Sequence, residues 1–209
     1  GDEEWFGSSL AILRALEDVG LHLEAAGMEH LRDLSSPCVI VGNHMSMLET
    51  LVLPCLVRPH MPVTFVVKDS LLTYPVFGHV MRSRHPVAVT RTSPREDFAT
   101  VMKEGKDRLD RGISVIVFPQ TTRTASFHPS DFNTIGVKLA RRAGVPVVPL
   151  ALLTDAWCNG LFLKDLGKID VDRTVHLAFG APLTVEGNGN GTNQAVIRFI
   201  EDRMSAWRP

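Results

Sequence analysis

His44 and Glu49 stand five positions apart in the segment Val41-Gly-Asn-His-Met-Ser-Met-Leu-Glu49. These two residue types at that spacing can make a general base with its own orienting group. An imidazole has an ordinary pKa of about 6.5, so near neutral pH it can accept a proton from a hydroxyl. A carboxylate on its other nitrogen fixes the tautomer and stabilises the imidazolium that forms. On one continuous helix, five residues turn the side chains about 140° apart at roughly 3.6 residues per turn, so the pair meets only if His44 precedes a helix and Glu49 lies in its first turn. The flanking pattern allows this. Residues 37–42 (PCVIVG) read as a short buried strand, and Met47, Leu48, Leu51, Val52 and Leu56 as the apolar face of the helix that follows. A second reading competes with the first. Ser46-x-x-Glu49 has the form of a capping box, which would make Glu49 structural and His44 an ordinary loop histidine.

Three downstream segments bear on the choice: Val67-Lys-Asp-Ser-Leu-Leu-Thr-Tyr-Pro-Val-Phe-Gly78 leading to Pro86-Val-Ala-Val-Thr-Arg91, then Val115-Ile-Val-Phe-Pro-Gln-Thr-Thr-Arg-Thr124, then Val145-Pro-Val-Val-Pro-Leu150. With the His44 segment they resemble, in order and spacing, the four blocks of the glycerolipid acyltransferase family that includes lysophosphatidate acyltransferase. Those blocks usually read NHxxxxD, a lysine-to-glycine stretch ending in arginine, FPEGTRS, and VPxxPV. The resemblance spans residues 37–150. It departs from the family at Glu49 for Asp, at Gln120 and Thr121 for Glu-Gly, and at Asn133 where a lysine is frequent. Thr121 also replaces a residue free to take positive φ, so a differently shaped loop is expected there.

The resemblance implies an O-acyltransferase that moves a fatty acyl group from acyl-CoA or acyl-carrier protein to a hydroxyl of a lysophospholipid or related lipid. His44 would act as general base and Glu49 as its partner, without an acyl-enzyme. Arg91 and Arg123 are the candidates to hold an anionic head group, because a guanidinium fork pairs with two oxygens at once. Gln120, Thr121 and Thr122 complete the expected substrate-binding set. The thioester is the expected co-substrate, with no cofactor and no metal. Three alternatives stay open: an acyl thioesterase using the same pair on water, an N-acyltransferase, and an acyl-binding protein weakened by the altered third block.

The 209 residues carry a formal charge of −1 and 44% hydrophobic side chains, enough for one well-formed core and unlike a nucleic-acid binder. Strands alternating with helices predict a single α/β domain with a mostly parallel or mixed sheet. Its expected parts are an N-terminal amphipathic segment over residues 1–30 and the catalytic domain over 31–209. In the first part Trp5, Phe6, Ile12, Leu13, Leu16, Val19, Leu23 and Ala26 recur at helical spacing. The other faces are mainly acidic, which favours packing on the protein's own body, with an exposed Trp5-Phe6 end available to lipid. No run of 18 or more apolar residues occurs, so the expected location is cytoplasmic and peripheral on the inner face of the membrane, and an anchor could precede residue 1. Cys38, Cys55 and Cys158 show no metal spacing and are expected to be buried and reduced.

Among the remaining segments, residues 97–112, 132–143 and 194–207 read as helices, and 113–118, 145–153 and 175–179 as strands. Gly144 is a predicted C-cap. Gly187-Asn-Gly-Asn-Gly191 reads as a loop, and His128-Pro-Ser-Asp131 as a turn after the third block.

Overall fold

The computed structural model of the chain describes residues 2–73, 84–120, 122–158 and 167–208. The elements in chain order are α1 (Asp2–Asp18), β1 (Leu23–Ala26), α2 (Glu29–Arg32), β2 (Val39–Gly42), α3 (Leu48–Val57), β3 (Val63–Lys68) and β4 (Val87–Val89). After them come α4 (Pro94–Thr100), α5 (Lys106–Asp110), β5 (Ser114–Val117), α6 (Ile135–Ala143), β6 (Val147–Leu153), β7 (Val175–Phe179) and α7 (Asn190–Trp207). Among the described residues, seven strands form one sheet in the order β1-β7-β6-β2-β5-β3-β4. Every pairing is parallel except β6 with β7, which makes the sheet mixed.

The central strands β2, β5 and β6 are buried along their whole length. Continuous apolar runs such as Val39-Ile-Val and Val147-Val-Pro-Leu-Ala-Leu-Leu are what a sheet covered on both faces requires. Side chains alternate between the two faces. Ile40 joins the core under α1 and α3, while Val39 and Val41 join the core under α6 and α7. Helix α6 comes so close to the sheet that a Cβ at Gly136 would stand 2.7 Å from Val41 Cγ2.

Several expected boundaries move. The first helix stops at Asp18, and Leu23 and Ala26 belong to the edge strand β1, parallel to β7, rather than to a longer helix. Trp5 is 5% exposed, packed edge-to-face on Phe65 with the Arg84 guanidinium over its ring, so it is not a free lipid-facing end. The expected helix at 97–112 begins earlier, on Pro94, and passes through a π-helical turn, Val101–Gly105, before α5. The helix expected at 132 starts at Ile135, because the Asn133 side chain takes the Ile135 N–H. Gly144 caps it at φ 69°, in the left-handed region as predicted. The last helix starts at Asn190, inside the glycine-rich segment read as loop. Cys38 and Cys55 are buried as expected, but Cys158 is exposed. Among the described residues no helix is long and apolar enough to cross a membrane.

Helix α1 is fastened to α3 at a specific defect. Pro54 lies inside α3 and has no N–H to give to the preceding turn. The Ser9 hydroxyl inserts there, accepting from Cys55 N at 3.0 Å and donating to Leu51 O at 2.5 Å. An insertion beside a proline is a recognised way for a helix to accommodate the broken ladder.

Candidate active site

Strands β2, β4, β5 and β6 all run in the same direction, so the loops leaving them gather at one edge of the sheet. That edge, outside the carboxyl ends of parallel strands, is where α/β sheets usually hold ligands. His44 follows β2, Arg91 follows β4, residues 118–124 follow β5, and Thr154 follows β6.

His44 lies before α3 and Glu49 in its first turn, as the spacing demands. His44 Nδ1 and Glu49 Oε2 are 2.5 Å apart, with the imidazole 12% and the carboxylate 0% exposed. Oε1 of the same carboxylate accepts from Met45 N at 2.8 Å, Ser46 N at 2.9 Å and Thr154 Oγ1 at 2.6 Å. The two readings of Glu49 therefore describe two oxygens: Oε1 ties the turn ahead of the helix and Oε2 orients the imidazole. Because Oε1 takes Met45 N and Ser46 N while Ser46 Oγ accepts from Leu48 N, the capping half is offset from the simple box.

The imidazole lies on Phe118, ring centroids 4.5 Å apart and planes within 4°. The backbone around it is locked too. Gln120 Oε1 accepts the His44 N–H at 2.8 Å, Gln120 Nε2 donates to Thr124 Oγ1 at 2.8 Å, and Thr124 N donates to His44 O at 3.1 Å. Asn43 extends the β2–β6 pairing past its end, donating to Leu152 O and accepting from Leu152 N, each at 2.8 Å.

Arg91 takes a left-handed backbone, φ 61°, which is uncommon for a side chain of its size. Asp97, in the first turn of α4, holds that turn by accepting from Thr90 N and Arg91 N, each at 2.8 Å. Desolvation pushes the Arg91 guanidinium below the ordinary arginine range, the positive charge of Arg123 adds to this, and Asp97 opposes it. Two cations close enough to disfavour each other on adjacent loops form a local positive field suited to an anion.

Of the sequence-predicted residues, His44, Glu49, Gln120 and the arginine pair are thus brought to one edge. Gln120 is 3% exposed and joins two loops, its Oε1 accepting from His44 N and its Nε2 donating to Thr124 Oγ1. Thr122 is exposed beside Arg123, while Thr121, residues 74–78 of the second block and the adjoining stretch to 83 lie outside the described residues. Sequence reading missed Thr154, Asp97 and Phe118. The signals were available: Thr154 is the one polar residue closing the apolar run from Val147, and Asp97 sits three residues after Pro94.

A fully buried carboxylate holding a largely buried imidazole, with two arginines on loops at the same sheet edge, is a layout chemically able to take a proton from a hydroxyl beside an anion. Comparison with known proteins identifies the family. The model of the family described as Acyltransferase matches residues 22–153. The chain belongs to that acyltransferase family and is an enzyme of this kind. It is 28% identical over 205 residues to the 1-acyl-sn-glycerol-3-phosphate acyltransferase of Pseudomonas aeruginosa, covering 98% of this chain and 74% of that protein. It is 32% identical over 127 residues to a chloroplastic 1-acyl-sn-glycerol-3-phosphate acyltransferase of Brassica napus, covering 61% of this chain and 36% of that one. The crystal structure of the 1-acyl-sn-glycerophosphate acyltransferase from Thermotoga maritima superposes with a TM-score of 0.73 at 20% identity, covering 100% of this chain and 81% of that chain, which shows the shared fold.

Proposed function

We propose that this protein transfers a fatty acyl group from a thioester, acyl-CoA or acyl-carrier protein, to the free hydroxyl of a 1-acylglycerol-3-phosphate-like acceptor at the cytoplasmic membrane surface. The observation that carries the reading is the contact of His44 Nδ1 with the fully buried Glu49 carboxylate. With Nδ1 held as the N–H, Nε2 is the nitrogen that accepts a proton.

The acceptor oxygen attacks the thioester carbonyl as Nε2 takes its proton. The C–O bond forms, the C–S bond breaks, and the imidazolium returns its proton to the leaving thiolate. The incoming alcohol thus fills the place that an enzyme serine has in a hydrolase triad. Glu49 stabilises the imidazolium during the step, and Arg91 with Arg123 holds the acceptor's phosphate. The names of the relatives support this acceptor. The test is incubation with acyl-CoA and a mixed lysolipid extract, followed by mass spectrometry. A lysophosphatidate that gains one acyl mass is the expected product. Release of free fatty acid alone would make the protein a thioesterase and sink the proposal.

A further inference from the structure

We infer that Thr154 is a positioning residue of the dyad, acting on His44 through Glu49; the inference rests on the proposed role of His44. Its hydroxyl lies between Glu49 Oε1, 2.6 Å away, and Ser46 Oγ, 3.0 Å away. Ser46 Oγ in turn lies 3.2 Å from Leu48 N.

The direction of every proton in this chain follows from chemistry. An ionised carboxylate only accepts, so Thr154 must donate to Glu49. Having spent its one proton, Thr154 must accept from Ser46. Ser46, having donated, must accept from Leu48 N, and a backbone N–H can do nothing but donate. The chain runs one way, from the first turn of α3 through Ser46 and Thr154 to the carboxylate, with no alternative arrangement while Glu49 is charged.

Thr154, Ser46 and Glu49 are all buried, Thr154 and Glu49 completely. In such surroundings a charged acceptor depends on its donors, because water supplies none. Oε1 has two backbone donors, which any substitution other than proline leaves in place, and this hydroxyl. Thr154 also reaches Glu49 from a different element: it directly follows β6, whereas Met45 and Ser46 belong to the turn before α3. The hydroxyl therefore fixes the carboxylate relative to the sheet, and Oε2 carries that fix to the imidazole.

The experiment compares Thr154→Val and Thr154→Ser with wild type in steady-state turnover, thermal unfolding and proton NMR of the His44 Nδ1 hydrogen at a pH where the ring is protonated. Thr154→Val keeps the shape and removes the donor. It is expected to lower kcat about 10- to 100-fold, the scale of losing a hydrogen bond to a charged group. KM for both substrates should stay within about twofold, and the Nδ1 signal should move or broaden. Thr154→Ser keeps the donor and should restore kcat to within about threefold and the signal to its wild-type position. Ser46→Ala, which leaves the Thr154 donation in place, should cost less than Thr154→Val. If Thr154→Val fails to fold, Thr154→Ala gives the same readouts without a methyl facing Ser46.

Wild-type kcat and an unmoved Nδ1 signal in the hydroxyl-free variant would overturn the inference, and so would equal losses in Thr154→Val and Thr154→Ser. His44→Ala serves as the reference. If it retains turnover, the base assignment fails by itself, while the NMR signal, which needs no turnover, still decides whether Thr154 acts on the dyad.

Discussion

Glu49 uses its two oxygens for separate tasks, and substitution can separate them. In Glu49→Gln the remaining carbonyl oxygen can keep the donors Met45 N, Ser46 N and Thr154 Oγ1. The amide nitrogen then faces His44 Nδ1, and since an amide N–H must donate, the imidazole is forced to accept at Nδ1 and carry its hydrogen on Nε2. That is the wrong tautomer for a base. Turnover should fall about 10²- to 10⁴-fold, while unfolding experiments should show a loss near 1 kcal/mol; near-normal activity would leave Glu49 a capping residue only. His44→Ala should likewise remove at least about 10²-fold in kcat. The fold should remain, because the imidazole contributes mainly a stack on Phe118 at the rim of the core. Activity above a tenth of wild type with an unchanged melting temperature would refute the assignment.

At the scale of elements, the turn after β4 and the α1–α3 contact each concentrate an effect in few groups. Asp97 holds the Thr90–Arg91 turn in a conformation that places the Arg91 charge near Arg123. Arg91→Ala or Arg123→Ala should therefore raise KM for a phosphorylated acceptor about 10- to 150-fold, the value of a charge-assisted hydrogen bond, and leave KM for the thioester nearly unchanged. Lysine at either place should rescue only in part, keeping charge without the fork. Equal losses with a neutral acceptor would show the arginines to be structural. In the other contact, Ser9→Ala would strand Cys55 N–H and Leu51 O inside the α1–α3 interface. The expected cost is about 1–3 kcal/mol, read by denaturant unfolding, with little change in kcat. A cost below a few tenths of a kcal/mol would mean that α3 closes its own ladder around Pro54.

Over the whole molecule, the far end of the chain returns to the site. Arg208, just past α7, donates to Ala125 O at 3.2 Å and to Asp155 at 2.6 Å, joining the third-block loop to the exit of β6. These contacts are exposed and contribute modestly to stability. Burial matters more for the cysteines. Desolvation pushes the Cys38 thiol up to about 12, partly opposed by its hydrogen bond to Ser114, and also raises the Cys55 thiol. A thiol whose folded pKa is raised favours the folded state fully below the ordinary thiol pKa of about 8.5 and loses that contribution as the pH climbs from there through the folded value. Stability should thus decline in alkaline solution, and Cys38→Ala or Cys38→Ser should flatten that part of the profile. At pH 8 a thiol reagent should label Cys158 quickly and reach Cys38 and Cys55 only on unfolding. Rapid labelling of all three in the native protein would contradict the core described here.

The sequence determined what is local or periodic. Apolar runs marked the central strands, Gly144 marked a helix end, and the five-residue separation of His44 and Glu49 required a turn followed by a helix. The order of the four blocks marked the family. The tertiary structure decided whatever depends on residues distant in the chain. The edge strand β1 is only four residues long and continues an amphipathic pattern, so its pairing with β7 has no local signature. Trp5 is buried because Phe65 and Arg84 arrive from elsewhere. Gln120 and Thr154 lie 76 and 105 positions from their partners His44 and Glu49. A side chain's hydrogen bonds are set by the groups the fold brings within about 3 Å. Residue type alone could therefore nominate His44, while only the packed sheet edge shows what holds its imidazole in place.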